Sequence, residues 1–193
     1  MDRRTVPHVL LRFAVCGALT VVLVACGGSN DSDRDTARNA STTQAAREVF
    51  EDPQGSYEID VDPDWDAQHG RLVAEIEVWV VGESRDGFAP NVNVLTQLTP
   101  GLDLSTYLDR SVEEGPSAIP DFELLNSDVV DGIASELGLL EYTGTQNGRP
   151  LRFLATVAVR DGTAVVATFT APPEVFDESR GEVEPYLLTL RTA

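Results

Sequence analysis

The sequence predicts an α+β domain: an antiparallel β-sheet sandwiched by helices, including a C-terminal β-meander. Three observations predict it. Four apolar runs between Phe122 and Ala171 are separated by Asp131-Gly132, Asn147-Gly148 and Asp161-Gly162. Such pairs tolerate positive φ and favour tight hairpins. Upstream, three stretches show the period of a strand, and between them and the meander Leu104, Tyr107, Leu108 and Val112 fall on one helical face.

Taken in order, Ser56 to Val61 alternates Tyr57, Ile59 and Val61 with polar neighbours and reads as a strand that Asp62-Pro63-Asp64 ends. Leu72 to Val81 reads as a second strand, with Trp79 near its end, and Asn91 to Leu98 as a third. Asp103 is placed to cap the helix that follows, and Gly115-Pro116 is expected to stop it. In the meander, a two-residue loop at Asn147-Gly148 sets Tyr142 opposite Phe153 and Leu140 opposite Ala155. Leu154, Val165 and Phe169 then point to the other face. Both faces are apolar, so both need a cover. The helix from Leu104 can cover one. The C-terminal segment, with Val175, Phe176, Val183, Leu187 and Leu190, can cover the other, and Gly181 and Pro185 are expected to break it into two pieces.

The N-terminus sets the organisation of the chain. Arg3, Arg4 and Arg12 precede the apolar stretch Phe13 to Leu23, and small residues follow. This is the layout of a signal peptide. The 11 residues from Phe13 to Leu23 reach roughly 16 Å as a helix, against a bilayer core of about 30 Å, too short to span. Arg3-Arg4 raises twin-arginine export, but Val6-Pro7 fits that motif poorly. Leu23-Val24-Ala25-Cys26 resembles the lipobox of bacterial lipoproteins. The resemblance implies cleavage before Cys26 and attachment of diacylglycerol to its sulfur. The domain organisation is therefore a signal peptide over 1–25, a lipidated cysteine and tether over 26–50, and a single folded domain over 51–193. Gly27 to about Arg47 is rich in Gly, Ser, Asn, Asp, Thr and Ala and is expected to be disordered. Its twenty or so residues would reach on the order of 25 Å.

Composition excludes some partners. Removing residues 1–25 leaves 11 basic and 31 acidic residues, a net of −20, and every basic residue is arginine. Such a chain is a poor ligand for nucleic acid. It is also repelled by anionic head groups, so acyl chains at Cys26 would have to supply membrane attachment. Of the two cysteines, Cys16 lies in the segment removed and Cys26 is acylated, leaving no thiol in the folded part for disulfides, metal or catalysis.

Several residue sets also resemble the LpqN family of actinobacterial lipoproteins. They are Asp62-Pro63-Asp64-Trp65, Ala89-Pro90-Asn91-Val92-Asn93-Val94, Leu104-Ser105-Thr106-Tyr107-Leu108, the meander, and Val183-Glu184-Pro185-Tyr186-Leu187-Leu188-Thr189-Leu190. The match runs from about Tyr57 to Arg191. That family is similar to the PsbP-like fold. The resemblance implies an envelope lipoprotein that binds partners, with roles in envelope lipid transport or biogenesis, and it brings no catalytic residues.

Candidate chemistry is sparse. His69 is the one histidine after the signal peptide and lies in a polar loop beside Asp66. It could serve as a general base, but no recognisable nucleophile accompanies it. There is no Gly-x-Ser-x-Gly elbow and no phosphate-binding glycine motif. Asp60, Asp62, Asp64 and Asp66 alternate as in a calcium loop. Yet Trp65 stands where an EF-hand needs glycine and Arg71 where it needs glutamate, so a solvated acidic turn is expected. Trp65, Trp79, Phe88 and Tyr142 either line a groove for an acyl chain or peptide or belong to the core. Asn91 and Asn93 flank that region and are expected to satisfy backbone hydrogen bonds. The expected function is a non-catalytic, lipid-anchored binding or scaffold protein on the outer face of the cytoplasmic membrane. It would have an envelope protein partner and no cofactor or metal. The alternatives are a carrier of a lipid or small apolar ligand and, third, a hydrolase using His69.

Overall fold

The structure is a computed structural model that describes residues 47–68 and 76–193. The expected signal peptide, Cys26, the expected tether up to residue 46, His69 and the start of the second expected strand lie outside the described residues.

Among the described residues twelve elements form two sheets and two helices: β1 (Glu48–Glu51), β2 (Tyr57–Val61), β3 (Asp66–Ala67), β4 (Ile76–Val80), β5 (Asn91–Leu98), α1 (Leu104–Ala118), β6 (Glu123–Asp131), β7 (Glu136–Gln146), β8 (Arg149–Arg160), β9 (Thr163–Ala171), α2 (Pro173–Leu187) and β10 (Arg191–Thr192). The larger sheet is antiparallel in the order β3-β4-β5-β9-β8-β7-β6, and the smaller has the order β1-β2-β10. The α+β antiparallel architecture is the one expected.

The register of the meander follows from its turns. Asn147 and Gly148 both have positive φ, 52° and 76°, and Tyr142 pairs with Phe153 and Leu140 with Ala155. The pleat then divides the side chains. Leu140, Tyr142, Phe153, Ala155 and Val157 share a core with Tyr107 and Leu108 of α1. Leu139, Leu154, Val165, Ala167 and Phe169 share another with α2 and with Tyr57, Ile59 and Leu190 of the small-sheet region. Each face thus has its cover.

Four local expectations need correction. First, β1 begins at Glu48, in the last residues of the 26–50 stretch assigned to the tether, and runs to Glu51. Phe50 draws it in, packing edge-on against Trp79 with ring centroids 5.0 Å apart. Second, α1 runs through Gly115-Pro116 to Ala118. Pro116 falls in the last turn, and the Ile119 N–H closes the helix on the Gly115 carbonyl at 2.9 Å. Asp103 caps the other end, accepting from the Thr106 N–H at 2.8 Å. Third, Gly181 and Pro185 do not break α2. They are spaced four apart, so the carbonyl that the proline ring crowds belongs to the most permissive residue. The buried Phe176, Val183 and Leu187 then hold the helix as one piece against the sheet. Fourth, Asp131-Gly132 is not itself the turn. Asp131 pairs with Glu136, the Gly132 N–H bonds the Ser135 carbonyl at 2.9 Å, and the chain reverses at Ile133-Ala134. Gly132 is needed for close approach, since a Cβ there would lie 2.7 Å from the Ser135 carbonyl oxygen.

Candidate functional site

The four aromatic residues considered for a groove do not meet. Trp79 is buried in the α2-side core, and Trp65 packs at the edge of that core, 4.8 Å from the Tyr186 ring. Phe88 and Tyr142 belong to the α1-side core. The sheet itself separates the two pairs, so the four do not line one groove. Tyr142 lies between Phe122 and Phe153, at centroid distances of 5.4 and 4.8 Å. Phe88 follows an Asp86-Gly87 turn with positive φ at both residues. Arg149 clasps that turn, with its guanidinium over the Phe88 ring at 5.7 Å and donating to the Asp86 carbonyl.

The alternating aspartates are used structurally. Asp62 accepts from its own turn at the Asp64 N–H, 2.9 Å, and from the Tyr186 hydroxyl, 2.8 Å. Asp60 pairs with Arg191 at 3.3 Å and with Arg47 at 3.7 Å. Asp66 accepts from Gln68 at 2.6 Å. Among the described residues no His, Cys, Asp and Glu side chains group as a metal site. Arg47 also lies over the Tyr186 ring at 5.0 Å. Arg47, the residue before β1, is therefore tied beside the end of α2. Burial raises the Tyr186 pKa, and its hydrogen bond to Asp62 raises it further.

A second charged cluster pins α2 to the sheet. Glu141 of β7 is 5% exposed and binds two arginines: Arg152 of β8, through Nε at 2.8 Å, and Arg180 of α2 at 2.9 Å. Arg152 continues to Asp177 of α2 at 2.6 Å and lies over the Phe176 ring at 4.7 Å. Burial lowers the Arg180 pKa, but hydrogen bonds and charge from Glu184 and Glu141 outweigh it and leave it raised. The carboxylates of this cluster are matched by arginine, which makes it a clamp between α2 and the sheet. The buried phenols of Tyr57, Tyr107 and Tyr142 are pushed up by desolvation and stay protonated at neutral pH. Asn93 behaves as expected in part: its Nδ2 reaches the Thr168 carbonyl at 3.4 Å, while its buried Oδ1 has no hydrogen-bond donor.

The feature that the sequence reading missed is the outer edge of the large sheet. β6, nine residues long, is the last strand of the sheet, and among the described residues no strand pairs beyond it. Between α1 and this strand lies a shallow depression lined by Ser111, Val112, Phe122, Leu124, Leu140 and Tyr142, with no room for an enclosed water. Leu125 and Val129 of β6 are 44% and 43% exposed. A signal for this region does exist in the sequence. Residues 111–148 carry eight carboxylates and no basic residue, and all but Glu141 lie outside the arginine clamp.

The chain matches no protein-family model and no curated protein. Solved structures share its fold. CyanoP, the cyanobacterial PsbP of Synechocystis sp. PCC 6803, aligns with a TM-score of 0.55 and 15% identity, covering 81% of this chain and 98% of its own. LpqN of Mycobacterium tuberculosis aligns with a TM-score of 0.54 and 12% identity, covering 77% of this chain and 91% of its own. PA94 of Pseudomonas aeruginosa, a protein of unknown function, aligns with a TM-score of 0.55 and 15% identity over 74% of this chain and 94% of its own. The fold is PsbP-like. At these identities the likeness establishes the fold alone. Among the described residues no helix is long and apolar enough to cross a membrane.

Proposed function

We propose that the protein is a non-catalytic cell-envelope lipoprotein of the LpqN kind, anchored through lipid on Cys26, whose PsbP-like domain binds a protein partner. The observation that carries this reading is one combination. A lipobox-like Leu23-Val24-Ala25-Cys26 leads through a polar stretch into a fold shared with LpqN, a protein described as involved in cell envelope biogenesis. Charge supports it from a second side. A net of −20 after residue 25 gives the domain no electrostatic hold on an anionic bilayer, so attachment falls to the lipid. The buried carboxylate of the described domain, Glu141, is taken up by Arg152 and Arg180 in tying α2 to the sheet.

The test is fractionation and crosslinking in intact cells. Wild-type chain is expected in the membrane fraction and crosslinked to a specific envelope protein. Cys26→Ala is expected to be released and still folded. A Cys26→Ala chain that is unlipidated yet fully membrane-bound would sink the anchor. Wild-type chain that captures no protein would sink the binding role. Turnover of ester, peptide or glycoside substrates that is lost in a point mutant would overturn the non-catalytic reading.

A further inference from the structure

We propose that the outer edge of β6 receives an extended, basic segment of a protein partner as an added strand. This rests on the binding-module reading above and names its surface.

The backbone geometry defines which groups are open. The pair Gln146 and Arg149 closes the two-residue turn, and such a closing pair exchanges both of its hydrogen bonds. Alternate pairs do the same, so Leu137, Leu139 and Glu141 turn their backbone polar groups toward β6. Their partners there are Val130, Asp128 and Asn126. Ser127 and Val129, lying between, point their N–H and C=O groups away from the sheet. A local bond agrees with this: the Val129 N–H is taken by its neighbour's side chain, Asp128 Oδ1, at 2.8 Å. That is a placeholder which an incoming carbonyl can displace.

The side chains specify the occupant. Glu123, Asn126 and Asp128 lie on the sheet face away from α1, and Leu124, Ser127 and Val129 on the α1 face, by their pairing with β7. A strand added here would set one row of its side chains against carboxylates. The other row would meet Leu124, Val129 and the depression beside α1. The complement is an alternation of basic and apolar residues. A second copy of this chain is disfavoured, because Glu123 and Asp128 would face carboxylates of the same sign. The bulge between Leu124 and Asn126 and the charged edge are devices that keep unselected strands away. A basic strand turns the same charges into attraction.

The experiment uses the full-length chain and three nine-residue acetylated probes. The first alternates valine with arginine, the second is the same peptide N-methylated at each valine, and the third carries glutamate for arginine. The first is expected to bind and to slow hydrogen exchange at the Ser127 and Val129 amides. The second and third are expected not to bind. Ser127→Pro removes one outward N–H and no bond to β7, a substitution an edge strand accommodates. It is expected to weaken the first probe by about tenfold. Equal binding of the N-methylated probe would mean charge attraction without strand addition and overturns the proposal. So does failure of the first probe to bind, or self-association of the free chain through β6. If Ser127→Pro lowers the melting temperature, the N-methylated probe decides alone. In cells, a partner crosslinked equally by wild type and a folded Ser127→Pro leaves the binding role standing and removes β6 as its site. Absence of any partner in wild type removes the role itself.

Discussion

α1 and α2 cover opposite faces of one sheet by opposite means. On the α1 side, side chains are missing where elements meet. A Cβ on Gly138 would lie 2.6 Å from Leu108 Cδ2, one on Gly144 2.3 Å from Ile119 Cγ2, and one on Gly115 2.6 Å from the Phe122 ring. The α1 region approaches through absent atoms. On the α2 side, large groups fill the space. Phe176 stacks on Phe169 with centroids 5.2 Å apart, and the Glu141–Arg152–Arg180 clamp holds the helix from its flank. The one glycine of α2, Gly181, faces open space. A glycine's role is set by what stands over it, and two helices on one sheet need not tolerate the same substitution.

The largest effect should come from removing the filler on the α2 side. Phe176→Ala is expected to cost roughly 3–5 kcal/mol in denaturant unfolding, since the ring is fully buried and Arg152 loses its stacking partner as well. A loss below about 1 kcal/mol would mean that the face is held by the clamp and not by packing.

Gly144→Ala tests the α1 side from the other direction. The added methyl meets the buried, β-branched Ile119, which is stiff at χ1, and the backbone oxygen of Pro120. A loss of about 1–3 kcal/mol is expected, as for an overpacked core. Gly181→Ala is the matching change on α2. It adds a methyl to an exposed helical position with nothing nearby, and a gain of roughly 0.5–1 kcal/mol is expected. Opposite signs for these two Gly→Ala changes, read from paired melting curves, are the comparison's sharpest form. A loss at Gly181 would show instead that its backbone is being used to accommodate Pro185.

The smallest effect belongs to the start of α1. The hydrogen bonds from Thr106 hold the Asp103 pKa below its ordinary value of 3.8. A depressed folded-state pKa contributes stability that is present above the unfolded value and is lost as pH falls through the folded one. The melting difference between wild type and Asp103→Ala should therefore be steady near neutral pH and shrink on acidification below about pH 4. A difference that grows in acid would contradict the cap.

The sequence by itself determined the elements whose signals are local. Asn147-Gly148 placed a two-residue turn, and period two carried that turn into a full register, so Tyr142 and Leu154 could be assigned to opposite faces. The Leu104–Val112 periodicity located α1, and Asp103 its cap. What failed were inferences from a local rule where distant groups decided. Gly181 and Pro185 suggest a break, but the buried stripe of α2 outweighs them. Phe50 sits in a polar neighbourhood and is recruited by Trp79, which lies 29 residues away. The aromatic set Trp65, Trp79, Phe88 and Tyr142 looked like one groove because composition carries no face. Only the register across the sheet, which aligns Trp79 with Val92, Phe169 and Leu154, sets Trp79 on the face opposite Tyr142. The edge status of β6 is likewise tertiary. Its acidity is legible from residues 111–148, but which strand is left unpaired depends on how the whole sheet is ordered. Hydrogen-bond pairing between strands distant in sequence sets that order, and no local pattern encodes it.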